Sequence, residues 1–356
     1  KPPDPAAPGR RPRASGVVER WARRMESDII FYNVALRGRS KAQMWELGLD
    51  LLARLSRRHV WKDVAASYSS AVSACLQSSS WQMSMALLEE QLLATLSPTV
   101  VSYNSVISAC SKGKAYGRAL ALFDDMARLR LKATVISYGL AISSCAKDGR
   151  SEQAVELLEA MNKESLRPTS VCYSAAISAC TRGDGRWEHA LVLFSEMGNL
   201  QIKHDVVSYT AAIHACSKGA QWEGALAMLQ AMQCLALSPS VISYGAAINA
   251  CDKGGRWEEA LALVHCMRVK SIRSNVVSYS SAMSACAKLG QWEQSLEALT
   301  EMRQAELQPN VVSYSAAIAA CTNGGMWVEA LHLLRELELG HQVPDSIAYD
   351  STLMAL

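Results

Sequence analysis

Apolar and polar positions along this chain follow the period of an α-helix in blocks of 35 residues. In block 100–134, Tyr103, Ile107 and Cys110 are spaced by four and three residues, which places them on one helix face. Four later apolar residues fall at helical positions 0, 3, 4 and 7, and they predict a second amphipathic helix: Ala119, Leu122, Phe123 and Met126. Gly113 separates the two patterns. The block therefore predicts a helix-turn-helix.

This pattern recurs along most of the chain, as a ladder of tyrosines shows. The tyrosines are spaced by 35 or 36 residues: Tyr32, Tyr68, Tyr103, Tyr138, Tyr173, Tyr209, Tyr244, Tyr279, Tyr314 and Tyr349. The repeats start at residues 29, 65, 100, 135, 170, 206, 241, 276, 311 and 346, and the tenth is cut off at Leu356. A fixed period of this size indicates a solenoid. We expect an all-α fold, a right-handed α-solenoid superhelix of about nine 35-residue helix-turn-helix repeats plus a truncated tenth.

Three residue types mark positions within the repeat. Glycines follow the first helix, and prolines near the end of a repeat are expected to stop the second helix: Pro98, Pro168, Pro239, Pro309 and Pro344. In most repeats a tryptophan begins the second helix, where packing between helices is favoured over base stacking. Tyr116 and Ser151 occupy that position in two repeats.

Charge is concentrated at the N-terminus, although the net charge of the 356 residues is only +3. Residues 1–28 form a basic, Pro- and Arg-rich segment that we expect to be flexible, and the repeat array occupies 29–356. An Arg-rich, acid-poor head is typical of an organelle transit peptide, and a plain disordered tail is the other interpretation. No apolar run approaches the roughly 18–20 residues that cross a bilayer.

The residues that usually carry chemistry show no catalytic pattern. Eight of the eleven cysteines occupy one repeat position without any CxxC pair, which favours packed, reduced thiols over zinc ligands. HxE, HExxH and GxxxxGK[ST] motifs are missing from the sequence, as is an isolated carboxylate pair. The sequence therefore predicts no catalytic residue, metal, cofactor or small-molecule substrate.

One basic position recurs just after the first helix. The cations that share it are Lys41, Lys112, Lys147, Arg182, Lys218, Lys253 and Lys288. Cations at helix C-termini can satisfy the helix dipole. A periodic row of cations can also match a phosphate backbone. The sequence alone favours neither the helix-dipole role nor the phosphate-contact role over the other.

The repeat resembles a known family. Val-Val-Ser-Tyr-Asn-Ser-Val-Ile-Ser-Ala-Cys-Ser-Lys-Gly, followed by Ala-Leu-x-Leu-Phe-x-x-Met and a late Pro, is similar to the pentatricopeptide repeat of the P type over residues 29–356. The resemblance implies binding of single-stranded RNA, one nucleotide per repeat, with the N-terminus toward the RNA 5′ end. It implies an adaptor in organelle RNA processing, stability or translation, located in a mitochondrion or plastid, with other RNA-processing proteins as further partners.

The resemblance also implies a role for three sets of residues, and it gives the recurring cations contacts to the RNA backbone. The fifth and last residues of the repeats would read base edges: Asn33, Ser69, Thr99, Asn104, Thr134, Gly139, Thr169, Ser174, Asp205, Thr210, Ser240, Gly245, Asn275, Ser280, Asn310, Ser315 and Asp345. The second residues would pack on base faces: Val101, Ile136, Val171, Val207, Ile242, Val277 and Val312.

The family's pairing of fifth and last residues implies a target sequence. From the repeat at 170 onward it implies 5′-G-purine-A-A-G-3′, in which Gly245 with Asn275 and Ser280 with Asn310 each select A. Thr99, Thr134 and Thr169 depart from the usual last residue, so those repeats are expected to discriminate poorly.

Two other functions stay open from the sequence. A protein–protein scaffold would have an apolar or irregular groove in place of periodic small polar residues. The array could also guide RNA to a catalytic domain, nuclease-like, deaminase-like or related to small MutS tails, lying beyond Leu356 in a parent protein.

Overall fold

A computed structural model describes residues 81–93, 98–183, 185–340 and 343–355. These residues fall into two compact units, one ending at Ser144 and the other beginning at Cys145. Segment 1–28, repeat 29–64 and the predicted site residues Asn33, Lys41 and Ser69 lie outside the described residues.

The described residues form sixteen α-helices in tandem. In chain order they are α1 (Trp81–Leu93), α2 (Val100–Lys112), α3 (Tyr116–Arg128), α4 (Val135–Asp148), α5 (Ser151–Lys163), α6 (Ser170–Arg182), α7 (Trp187–Asn199), α8 (Val206–Lys218), α9 (Trp222–Cys234), α10 (Val241–Lys253), α11 (Trp257–Val269), α12 (Val276–Lys288), α13 (Trp292–Gln304), α14 (Val311–Asn323), α15 (Trp327–Leu339) and α16 (Ser346–Ala355). Over the described repeats, the expected all-α solenoid of helix pairs is confirmed.

The first helix of each repeat supplies most of the interior. In α10, Tyr244, Ile248 and Cys251 are fully buried at the predicted spacing of four and three. α10 packs against α11 of its own repeat, against α9 of the preceding repeat, and against the first helices α8 and α12 on either side. A first helix is therefore surrounded by neighbours along most of its length, which explains why Ala and Cys occupy so many of its positions.

The second helix is amphipathic and more exposed. In α11 the apolar face of Ala260, Val264 and Met267 is buried, while Glu258 in its first turn faces solvent. An acid in the first turn also suits the positive end of the helix dipole. No described helix has the length and apolar character needed to cross a membrane.

Proline does not end the second helices, contrary to the expectation from sequence. Pro168, Pro239 and Pro309 lie five residues beyond the last helical residue of α5, α9 and α13. The chain turns earlier, at a residue other than glycine with φ between 54° and 58°: Arg130, Ser165, Gln201, Ala236, Ser271 and Glu306. The next N–H then bonds back into the helix, as from Leu131 to the Met126 carbonyl at 3.0 Å. This left-handed closure satisfies carbonyls that the helix end would leave free.

Glycines after the first helix leave space for an aromatic ring. A Cβ on Gly254 would lie 2.6 Å from Cδ1 of Trp222 in the preceding repeat, and one on Gly324 would lie 2.5 Å from Cδ1 of Trp292. At Gly254 the backbone is ordinary right-handed helix, with φ −78° and ψ −2°. The glycine is therefore required because the tryptophan ring of the preceding repeat lies so close to its Cα. The tryptophan packs between repeats, the role that the sequence analysis favoured.

The recurring cysteines are part of the core. Cys216 and Cys286 are buried in α8 and α12, and among the described residues no cysteine forms a disulfide. Burial raises the pKa of both thiols from 9.0 to about 11. Such thiols stay protonated and unreactive at neutral pH.

Gly254→Ala should destabilise the protein by about 1–3 kcal/mol, because the new methyl group overlaps the Trp222 ring. The measurement is chemical denaturation or the Tm. Gly245→Ala is the matched control, since its Cβ would lie 3.8 Å from the Ser278 hydroxyl oxygen and it sits inside a helix. The control should be neutral or slightly stabilising. Equal effects of the two substitutions would contradict the ring-to-glycine packing.

Alkylation of the native protein at about pH 8 should be slow at the buried thiols, because their raised pKa leaves little thiolate. Among the described cysteines, exposed Cys234 should react first, and Cys216, Cys251 and Cys286 should react only after denaturation. Mass spectrometry of labelled peptides identifies the sites. Rapid native labelling of Cys251 would show that the first helices are not packed as described.

Candidate nucleic-acid interface

Neighbouring first helices run side by side in the same direction. Between α8 and α10, the Thr210 and Ser243 hydroxyls are 2.7 Å apart near the N-terminal ends. Near the C-terminal ends, the Ser217 hydroxyl donates to Oδ1 of Asn249 at 2.9 Å. In the second unit, the N-termini of successive first helices therefore form a row, which brings the predicted second, fifth and last residues of these repeats together.

The last residue of a repeat caps the first helix of the next. Asp205 Oδ1 accepts from the Ser208 N–H at 2.8 Å, and Asn275 Oδ1 accepts from the Ser278 N–H at 2.9 Å. An oxygen at this position satisfies a helix N–H that has no partner within the helix, typically stabilising by about 1 kcal/mol. Thr169 makes no such bond, and Cys172 stands where most other repeats have serine. Sequence reasoning missed this capping role, although Thr, Ser, Asp and Asn before a helix are its usual signal.

The second residues project from the protein surface. Their exposed fractions lie between 58% and 73% for Val101, Ile136, Val171, Val207, Ile242, Val277 and Val312. Large aliphatic side chains are normally buried, so their recurring exposure at one position of seven repeats requires an explanation other than the core. Each lies two residues after a polar helix cap.

The fifth residues lie deeper than the resemblance implies. Ser174, Ser280 and Ser315 are 5–7% exposed. Ser280 donates its hydroxyl to the Val276 carbonyl at 2.9 Å and lies 2.8 Å from the Ser313 hydroxyl of the next repeat. The position is buried because a first helix packs directly against its neighbour there. A base-reading role for these serines stays a prediction.

Other predicted reading positions differ from these serines. Gly139 and Gly245 contribute no side chain, whereas Asn104 has a buried Oδ1 atom that accepts no hydrogen bond in the described part of the chain. In the second compact unit, Ser315 donates to Asp345 Oδ1 at 2.8 Å, so that a fifth and a last residue of one repeat are in direct contact.

The recurring cations occupy the opposite ends of the first helices. Lys112, Lys147, Arg182, Lys218, Lys253 and Lys288 are exposed. Lys288 forms an ion pair with Asp252, Nζ to Oδ1 at 3.0 Å, while Arg182, Lys218 and Lys253 form none within the described residues. A rise of 1.5 Å per residue places each cation about 16 Å along the helix from the exposed second residue. Within the second unit, the exposed side chains of the first helices therefore form an apolar, a polar and a cationic row.

Family models match three stretches of the chain. The pentacotripeptide-repeat region of PRORP matches residues 128–310, more than half of the chain. A PPR repeat family model matches residues 98–147, and a PPR repeat model matches residues 312–339. The chain belongs to the pentatricopeptide repeat family.

Solved structures of pentatricopeptide repeat proteins share this fold. The crystal structure of PPR10 from maize has 24% sequence identity and a TM-score of 0.63, with 97% of this chain and 49% of that chain covered. PPR10 in complex with an 18-nt psaJ RNA element has 14% identity and a TM-score of 0.54, with 95% and 59% covered. This pentatricopeptide chain thus spans about half the length of the maize protein. No curated protein matches the sequence.

One histidine lies beside the recurring cations of these pentatricopeptide repeats, and the sequence analysis did not identify it as a site residue. His214 reaches the surface of α8, four residues before Lys218. Partial burial, and then Lys218, Arg182 and Lys253, hold its pKa below the ordinary value of 6.5. The available signal in the sequence was its position one helical turn before Lys218, one of the recurring cations. At neutral pH it adds a neutral hydrogen-bonding group to the row.

Among the residues that the structure describes, no three His, Cys, Asp or Glu side chains converge in a way that could hold a metal ion.

Proposed function

We propose that this pentatricopeptide repeat chain binds single-stranded RNA, one nucleotide per repeat, and acts as an adaptor without chemistry of its own. The observation that carries the proposal is the exposed Val or Ile at the second residue of seven repeats, beside a polar cap. An unpaired base offers a flat face to an apolar side chain and a hydrogen-bonding edge to a polar one. Exposed periodic cations would contact the phosphates.

The last residues lead us to propose a base order. Asn275 and Asn310 are exposed amides at the N-terminal ends of first helices. Asp205 and Asp345 are carboxylates at the same position of other repeats. We keep 5′-G-purine-A-A-G-3′ as the preferred segment, with Ser174, Thr210, Ser280 and Ser315 as the partners of the last residues. The similar protein PPR10 has been solved in complex with an 18-nt psaJ RNA element, which supports RNA as the class of ligand.

We further propose that the adaptor works in organelle RNA processing, stability or translation, in a mitochondrion or plastid. Family membership and the Arg-rich, acid-poor residues 1–24 support this proposal. A longer protein in which this array guides RNA to a catalytic domain is the second candidate. It is favoured by a family model named for the repeat region of PRORP.

An RNA containing 5′-GAAAG-3′ should bind this chain more tightly than a polyU strand of equal length or a duplex DNA. A good contact to a base edge discriminates by roughly 1–3 kcal/mol, so a difference of at least about fivefold is expected. Fluorescence anisotropy at moderate salt measures it, and a salt titration should give a falling affinity. Equal binding of all three would reject base reading, and binding of a peptide library in their place would indicate a scaffold.

Asn275→Asp combined with Asn310→Asp should shift the preference from A toward G at the two facing nucleotides by about tenfold, because carboxylates accept but do not donate hydrogen bonds. The measurement is competition between RNAs that differ only at those nucleotides. Lys218→Ala with Lys253→Ala is the matched contrast. It should weaken all RNAs together and reduce the salt slope by about 0.7 for each lost contact. A change of base preference in the lysine variant would contradict the separation of roles.

A further inference from the structure

The third residue of most repeats is a buried serine that contacts the preceding cap. Ser278 and Ser313 are 1% and 0% exposed. Ser278 N–H and Oγ both lie 2.9 Å from Oδ1 of Asn275. Ser313 N–H and Oγ lie 3.0 and 2.9 Å from Oδ1 of Asn310. Each asparagine oxygen therefore accepts two hydrogen bonds from one serine.

These two bonds define which way the amide points. A backbone N–H can only donate, so the atom that it faces must be the amide oxygen and not the NH2 group. The serine hydroxyl donates to the same oxygen and adds to the preference. Asn275 and Asn310 are exposed, and among the described residues neither Nδ2 donates a hydrogen bond. The NH2 groups thus remain available at the surface, as donors only.

We propose that Ser278 and Ser313 are positioning residues for base selection, which hold the amides of Asn275 and Asn310 with their NH2 groups toward the RNA strand. The proposal rests on the RNA-binding function above. A fixed donor favours bases that offer a ring nitrogen as acceptor, which are A and C. It disfavours G and U, whose corresponding ring nitrogen carries a hydrogen and also donates. Without the serine hydroxyl, one of the two bonds that orient the amide is lost.

The same chain supplies a natural contrast at Asp205. Here the Ser208 hydroxyl donates to the backbone carbonyl of Asp205 at 2.9 Å, and within the described part of the chain the carboxylate accepts a hydrogen bond from the Ser208 N–H alone. A carboxylate has two equivalent oxygens, so its chemistry toward a base does not depend on which oxygen faces inward. Ser208 therefore stabilises the helix start without choosing a base.

The test is Ser278→Ala and Ser313→Ala, measured as the ratio of affinities for RNAs with A or G at the two facing nucleotides. We expect the A-over-G ratio to fall by about two- to tenfold, the range for one lost hydrogen bond. Ser→Thr at the same positions should restore the ratio, since threonine keeps the hydroxyl. Ser278→Cys is a second variant that the fold tolerates at the equivalent Cys172, and its weak S–H donor should give a reduced ratio.

Ser208→Ala is the matched control, because it removes a capping hydroxyl at an equivalent buried position. It should lower the Tm as the other variants do and leave the base preference at its own nucleotide unchanged. If the native chain discriminates A from G and Ser278→Ala and Ser313→Ala keep the native ratio, the positioning role is wrong and RNA binding stands. If the native chain does not bind RNA, the proposed function and this inference are both rejected.

Discussion

Close packing between neighbouring first helices is the constraint on which the rest of this structure depends. Ala212, Ala247, Ala282 and Ala317 occupy one position of four successive repeats with no exposed surface. Small side chains let the helices lie side by side in the same direction, so that hydroxyls of adjacent repeats come within 2.7–2.8 Å. The interface is thus a by-product of how the interior is filled.

The helix N-terminus combines stability and recognition in one group of atoms. Asn310 caps α14 with its oxygen and keeps its nitrogen at the surface. Stability therefore constrains the recognition residue, because a side chain at this place must provide an acceptor for the helix. Ser, Thr, Asp and Asn meet that need, and these are the only residue types found at the last position of the eight repeats that end between 99 and 345. Helix capping therefore explains why so few residue types occur at this predicted reading position.

Much of the fold followed from local pattern, whereas the features that were missed are a backbone turn, a helix cap and a contact between neighbouring repeats. The 35-residue period predicted both helices of the described repeats between residues 100 and 339 correctly, the first from the spacing of Tyr, Ile and Cys and the second from the spacing of Ala, Leu, Phe and Met. The left-handed turn that follows the second helix, at Arg130 or Gln201, was not predicted, because these residues carry no sequence signal for a positive φ. The burial of Ser280 and the contact from Ser278 to Asn275 were also missed. The first arises where one repeat packs on the next, and the second is a local helix cap three residues along the chain.

The ring-to-glycine contact makes the repeats less interchangeable than their similarity suggests. Trp222 requires Gly254 in the following repeat. At the same two positions of other consecutive repeats the chain has Ser151 with Gly183, and Trp257 with Leu289. A Cβ on Gly183 would collide with the Gly149 carbonyl and not with a tryptophan ring. Where a tryptophan meets a glycine, the two form a matched pair of residues from two consecutive repeats. An engineer who reorders repeats to change the target must therefore cut within a repeat, between its two helices, so that the second helix of one repeat travels together with the first helix of the next.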